Sequence, residues 1–363
     1  MIQKWGLPLI GISFIATLAC AETREQRLEA ALKKYPEADT NNDGRLTKKE
    51  AMAYMARMQV DKKQPSNGLK APTHANVVYG SHERNVMDLW LAPSDQPTPL
   101  LVHIHGGGFR SGDKSQVSRQ MIELMNKAGI SVASINYRLT KGGLLAEGEN
   151  RYPGPMHDGA RALQFLRLHA ATYNLDKNRF AATGGSAGGC MLMWLGFHPD
   201  LAQPDHADPV LRESSRLQAL APRGGQSTVH GPTFLEWFGV ESLNLNKRKG
   251  PIQPSNEKEP PSEAQLAQGL DASPITHLTA DDPPIYLFYN GPDSQVTETT
   301  LWGTWVHHPI LGIKLKEAMD AKDMECLLEY KDGPPVPAYE SQYDFIMKKL
   351  KPASASATQK TGS

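Results

Sequence analysis

An excess of charge of either sign is missing from this sequence of 363 residues: 39 lysines and arginines face 39 aspartates and glutamates. With no positive surplus to hold a phosphate backbone, nucleic acid is set aside as a partner. Cysteine is scarce. Cys20, Cys190 and Cys326 are the whole supply, too few for a disulfide framework even in an oxidising compartment. Cys190 in "GGCMLMW" and Cys326 in "MECLLEY" stand in apolar surroundings and read as small buried hydrophobes. The apolar run from Trp5 to Leu18 falls short of the about 20 residues that a membrane helix needs. Internal repeats are absent, and no histidine occurs after His308.

That short apolar run has another reading. Lys4 precedes it and Ala19-Cys20-Ala21 follows it, the charge, apolar stretch and small-residue site of a secretory signal. Residues 1–21 are therefore expected to be a signal peptide, with export to the periplasm or beyond the cell and no transmembrane span in the mature chain. Leu18-Ala19-Cys20 partly resembles a lipobox, but Thr17 stands where leucine is usual, so a lipid anchor on Cys20 is the less favoured alternative.

Residues 22–61 form a small helical module in this reading. Helix-like runs, Thr23 to about Lys34 and Thr47 to about Met58, flank "DTNNDGRLTKKE". Asp39, Asn41 and Asp43 hold positions one, three and five of a twelve-residue window, with Gly44 at six, Thr47 at nine and Glu50 at twelve. Short oxygen-bearing side chains at this spacing, the carbonyl of Arg45 and a bidentate Glu50 can converge on one Ca²⁺. The window closely resembles an EF-hand, read as structural or accessory; a solvated Asp/Asn turn is the bland alternative. Residues 62–74 are polar and proline-bearing and read as a linker, and the tail 351–363 as disordered.

Between linker and tail, strand-like runs alternate with helical patterns: "NVVYG", "VMDLWLA", "LLVHIHGGG", "SVASINY", "FAATGG", "PIYLFYN" and "ECLLEY", with helices around Ser118–Ala128, Asp158–Tyr173 and Ile310–Ala321. Such alternation predicts an α/β fold over residues 75–350, a mostly parallel sheet with helices on both faces.

Two stretches of this region carry chemistry. Gly184-Gly185-Ser186-Ala187-Gly188 fits G-x-S-x-G between a strand and a helix, where a tight turn pushes the serine hydroxyl out above the sheet. "HIHGGGF" follows another strand, and its glycines let the amides of Gly106 and Gly107, with that of Ala187, approach a developing oxyanion.

"HGGGF", "NYRL", "DGARALQFLR", "NLDKNRFAATGGSAGG" and "DDPP" together resemble the α/β-hydrolase superfamily, specifically HGGG-bearing esterases related to hormone-sensitive lipase and to secreted acetyl- or feruloyl-esterases. The resemblance implies hydrolysis of small-molecule or polysaccharide-linked carboxylic esters by a Ser-His-Asp triad without a catalytic metal. Ser186 would be the nucleophile, Asp293 in "NGPDSQ" the acid, and His105 a shaper of its loop. The base should follow the strand "ECLLEY", where no histidine stands. His307 and His308, ahead of the helix after the acid's strand, are the candidates for a relocated base, and spacing leaves the choice between them open; His277 and His230 are poorer ones. The competing class is a binding protein on a hydrolase fold that has lost its base.

Overall fold

The computed structural model describes residues 71–145, 150–240, 261–297, 300 and 302–351, together with 28–29, 32–33 and 45–47. The chain divides into two units, Met1–Ser66 and Asn67–Ser363. In the first, the pairs 28–29 and 32–33 are helical and 45–47 are without regular structure. The loop residues Asp39, Asn41, Asp43 and Glu50 lie outside the described residues.

The second unit is built on eight strands among the described residues: β1 (His74–Val78), β2 (Val86–Trp90), β3 (Thr98–Ile104), β4 (Ser131–Ile135), β5 (Leu175–Gly185), β6 (Ala219–Arg223), β7 (Ile285–Pro292) and β8 (Cys326–Lys331). They lie in one sheet in the order β1-β2-β4-β3-β5-β6-β7-β8. Strand β2 is antiparallel to both β1 and β4, and all other pairs are parallel. The helices are α1 (Arg119–Lys127), α2 (Gly154–Leu168), α3 (Ala187–Phe197), α4 (Gly231–Phe238), α5 (Glu263–Asp271), α6 (Trp302–Val306), α7 (Ile310–Asp320) and α8 (Gln342–Lys349). Among the described residues, no helix is long and apolar enough to cross a membrane.

Alternate residues of a central strand face opposite sides of the sheet. Leu100, Val102 and Ile104 of β3 enter one buried cluster with Met191, Trp194 and Leu195 of α3. Leu101 enters the other, with Met121 and Met125 of α1 and Phe345 of α8. Covered on both faces, the central strands read as continuous apolar runs rather than as alternating ones. Every residue of α3 is buried, as a helix apolar all round must be.

Two departures from the sequence-based expectation have local causes. Strand β6, "ALAPR", is too short to show a period and carries Pro222, which lacks a ladder donor; pairing on both sides, to β5 and β7, makes it a strand. Helix α2 begins at Gly154, ahead of the expected start at Asp158, which therefore lies inside the helix. Its carboxylate accepts from Arg138, Nε at 2.8 Å and Nη2 at 2.7 Å.

Candidate active site

Strand β5 ends at Gly185 and α3 starts at Ala187, so Ser186 alone makes the turn. Its backbone adopts φ 52°, ψ −118°, a conformation that costs a residue with a Cβ on the order of 1–3 kcal/mol. Two backbone bonds, one long-range and one within the first turn of α3, hold it there. The Ser186 amide donates to the Arg223 carbonyl at 2.8 Å, and the Ser186 carbonyl accepts from the Cys190 amide at 2.8 Å. Crowding dictates the flanking glycines, since a Cβ on Gly184 would stand 2.4 Å from the carbonyl oxygen of Ile104, and one on Gly188 only 2.1 Å from it. With its backbone clamped, the serine presents a half-buried side chain at the carboxyl edge of the sheet, where an open parallel sheet gathers its ligand-binding loops.

The loop after β3 runs beside it. A Cβ on Gly106 would lie 3.5 Å from the Ser186 Cβ. Gly107 has φ +113°, and a Cβ there would meet the Ser111 carbonyl oxygen at 2.1 Å. The Gly107 carbonyl is taken by the amides of Arg110 and Ser111, at 3.0 and 3.1 Å. Buried His105 stacks on Tyr137, ring centroids 4.3 Å apart. Its Nε2 lies 3.4 Å from Arg84 Nη2 and its Nδ1 2.8 Å from the Gly106 carbonyl. A guanidinium only donates and a carbonyl only accepts, so Nδ1 carries the proton, and burial lowers the pKa to about 4. A planar trans peptide puts its C=O and N–H on opposite sides. Turning the Gly106 carbonyl toward His105 therefore turns the Gly107 amide away from it. Ala187 is the first residue of α3, and the first amides of a helix have no intrahelical acceptor.

The imidazole comes from a distant part of the chain. His307 stands between α6 and α7, and its Nε2 lies 2.8 Å from Ser186 Oγ. The ring rests on Gly224, where φ is +56° and a Cβ would stand 3.3 Å from His307 Cδ2. One side of His307 is open to solvent. Desolvation on the protein side lowers its pKa, and a hydrogen bond to the backbone of Gly303 opposes this. The neutral ring, able to accept a proton, therefore prevails at neutral pH. Among the described residues, no carboxylate pairs with it.

His308 is committed elsewhere. It is buried, its Nε2 donates to the Ser294 carbonyl at 2.8 Å, and its Nδ1 accepts from the Ile310 amide at 3.1 Å. Asp293 stands beside His308, Oδ1 3.9 Å from Nδ1, with its carboxylate 45% exposed. Of the three residues Asp293, His307 and His308, the structure brings only His307 to Ser186. His230 accepts at Nδ1 from Thr233 at the start of α4, and His277 bonds the Asp271 carbonyl. Phe234 and Phe238 pack with Trp305 of α6, Phe238 at 4.9 Å, so they back the segment that carries His307. Both Cys190 and Cys326 are buried, and burial pushes each thiol up to about 12, far from the range of a reactive thiolate.

The sequence profile of the family described as BD-FAE matches residues 87–300, well over half of the chain. The chain belongs to the BD-FAE family. This BD-FAE chain is 29% identical over 225 residues to a probable carboxylic ester hydrolase, LipM, of Mycobacterium tuberculosis, covering 61% of itself and 48% of LipM. It is 22% identical over 310 residues to an esterase of Gibberella moniliformis, covering 82% and 89%. It thus spans about half the length of LipM and most of the fungal protein. Among solved structures, a truncated carbohydrate esterase from gut microbiota shares its fold at TM-score 0.56 and 21% identity, over 79% of this chain and 99% of that one. An acetyl ester-xyloside bifunctional hydrolase from Caldicellulosiruptor lactoaceticus does so at TM-score 0.53 and 18% identity, over 73% and 87%. Both curated relatives bear the names of ester-cleaving enzymes, a carboxylic ester hydrolase and an esterase.

Several residues that shape the site were not found by reading motifs: Arg223 and Gly224 at the end of β6, Gln226 beyond them, and the Gly303 backbone. The pair Gly224-Gly225 is the one trace they leave in the sequence, and it follows a strand that has no visible period.

Proposed function

We propose that the chain is a serine carboxylic ester hydrolase in which Ser186 is the nucleophile and His307 the base. The reading is carried by one observation, the 2.8 Å approach of His307 Nε2 to Ser186 Oγ, within the reach that proton transfer needs. As Oγ forms its bond to the ester carbonyl carbon, its proton passes to His307 Nε2. The amides of Gly106, Gly107 and Ala187 receive the negative charge that develops on the carbonyl oxygen. Collapse of the tetrahedral intermediate returns the proton to the departing alcohol and leaves an acyl-Ser186. Water, deprotonated by the same imidazole, then releases the carboxylic acid and restores the serine. In this reading His307 acts without a carboxylate among the described residues, and Asp293 and His308 stand outside the chemistry.

Short acyl esters, free or on polysaccharides, are the proposed substrates, in keeping with the carbohydrate and acetyl ester enzymes that share the fold. The signal pattern at residues 1–21 supports export. The oxygen donors Asp39, Asn41, Asp43, the Arg45 carbonyl and Glu50 have the number and kind that Ca²⁺ takes, and the ion would brace the small module without entering the reaction. A second reading, a binding protein without turnover, draws support from the lack of a carboxylate on His307 among the described residues. Hydrolysis of a chromogenic acetate ester decides between them, run with Ser186→Ala, His307→Ala and His308→Ala. Turnover lost in the first two and kept in the third is the expected result; no turnover above the Ser186→Ala background, from acetyl to octanoyl, would leave the binding protein.

A further inference from the structure

Among the described residues no carboxylate holds the ring of His307, so the groups that keep the imidazole over Ser186 are sought in the chain around it. Gln226 is 3% exposed and sits in the loop between β6 and α4. Its Nε2 donates to the Val306 carbonyl at 2.6 Å and to the Gly224 carbonyl at 3.1 Å. Both neighbours are carbonyl oxygens, so only the amide nitrogen can face them and the orientation is determined. Val306 is the residue from which His307 continues, and Gly224 is the surface on which its ring rests. One buried side chain therefore ties together the chain that carries the imidazole and the floor beneath it. The bonds beside Gln226 reach other groups and lie outside this tie: Ser227 Oγ donates to the Leu311 carbonyl and Tyr289 Oη to the Gly225 carbonyl, each at 2.7 Å.

We infer that Gln226 is a positioning residue for His307, a neutral main-chain clamp that does the orienting a triad carboxylate would do. The inference rests on the Ser186–His307 reading and adds to it how the base is held. It follows from the hydrogen-bond accounting: an unpaired buried carbonyl is costly, so the two acceptors keep their shared donor and the imidazole moves only when that clamp opens. A displacement of about 1 Å at a catalytic group can lower turnover about a hundredfold, which sets the scale expected of its loss.

The test compares Gln226→Met, which keeps the volume and removes both donors, with Ser227→Ala, which removes the neighbouring bond to Leu311. Gln226→Met should lower kcat on the acetate ester ten- to a hundredfold with KM within about twofold, whereas Ser227→Ala, at a similar loss of melting temperature, should keep kcat within threefold. In parallel, the titration of His307, followed by NMR of ¹⁵N-histidine protein and assigned with His307→Ala, should move toward the ordinary imidazole range in Gln226→Met and stay in place in Ser227→Ala. Equal losses of kcat in the two variants, or a His307 titration unchanged by Gln226→Met, would overturn the clamp. The NMR measurement needs no turnover. If the unmodified protein proves inactive, the esterase reading fails by itself, and the shift of the His307 titration still decides the role of Gln226.

Discussion

The two halves of the proposed dyad are built in opposite ways. Ser186 is held by its own neighbourhood: a strand, one strained residue and a helix, with glycines wherever a Cβ would strike the Ile104 carbonyl. His307 is reached across 121 positions of chain and is kept in place by groups from the β6 loop and the backbone of Gly303. The first half is a local conformational solution, which tolerates almost no substitution but needs little else. The second is a tertiary assembly, in which several modest contacts replace one strong partner. The serine turn therefore depends on backbone geometry, and the position of His307 on tertiary contacts.

Gly188→Ala should give the largest effect and break the local half. A Cβ 2.1 Å from the Ile104 oxygen cannot be accommodated without moving β3 or α3, and a loss of more than about 4 kcal/mol, read as failure to give a cooperative melt, is expected. His307→Ala breaks the assembled half without harming the fold: the expectation is a fall in kcat of about 10⁶-fold with the melting temperature nearly unchanged. Gly224→Ala touches both halves more mildly. The positive φ and the 3.3 Å contact with His307 Cδ2 predict a roughly ten- to hundredfold loss of kcat together with a modest loss of stability.

Changes of pH sharpen the same comparison. Desolvation lowers the His307 pKa, and only the neutral ring accepts the serine proton, so the acid limb of kcat/KM should lie below the ordinary imidazole value of about 6.5. Activity is present above that limb and lost as the pH falls through it. On the nucleophile side, burial lowers His103 and His105 to about 4. Both rings stay neutral in the fold and gain a proton on unfolding below about 6.5, so stability should decline between about pH 6.5 and 4, by on the order of 3 kcal/mol for each. Denaturant titrations at pH 7 and 4.5 measure this, and His105→Asn should reduce the difference. Asp293→Asn should give the smallest effect, a change in kcat of less than about threefold, against the 10⁴-fold loss recorded when a triad acid is neutralised. A large loss there would return the acid role to Asp293.

Much of the molecule is legible in its residues alone. The alternation of apolar runs with helical patterns implied a mostly parallel sheet, and the BD-FAE match and the esterase folds agree with it. "GGSAGG" and "HGGG" reveal themselves because each needs consecutive residues without side chains, a demand that can be met only by writing glycine at those positions. Strand β6 was invisible because five residues with a proline carry no period, and with it went Gly224, Gln226 and the acceptor of the Ser186 amide. The choice between His307 and His308 was closed to the sequence for a related reason. The two are adjacent, both precede a proline and a helix, and identical side chains differ only in which way the chain turns them. Local steric demands thus wrote the strained serine turn and the glycine loop beside it into the residues themselves, whereas the partner of Ser186 was decided by tertiary packing. The bond from Gln226 to the Val306 carbonyl fixes the chain that turns one imidazole toward the serine, whereas a bond to the Ser294 carbonyl and one from the Ile310 amide hold the other inside the fold.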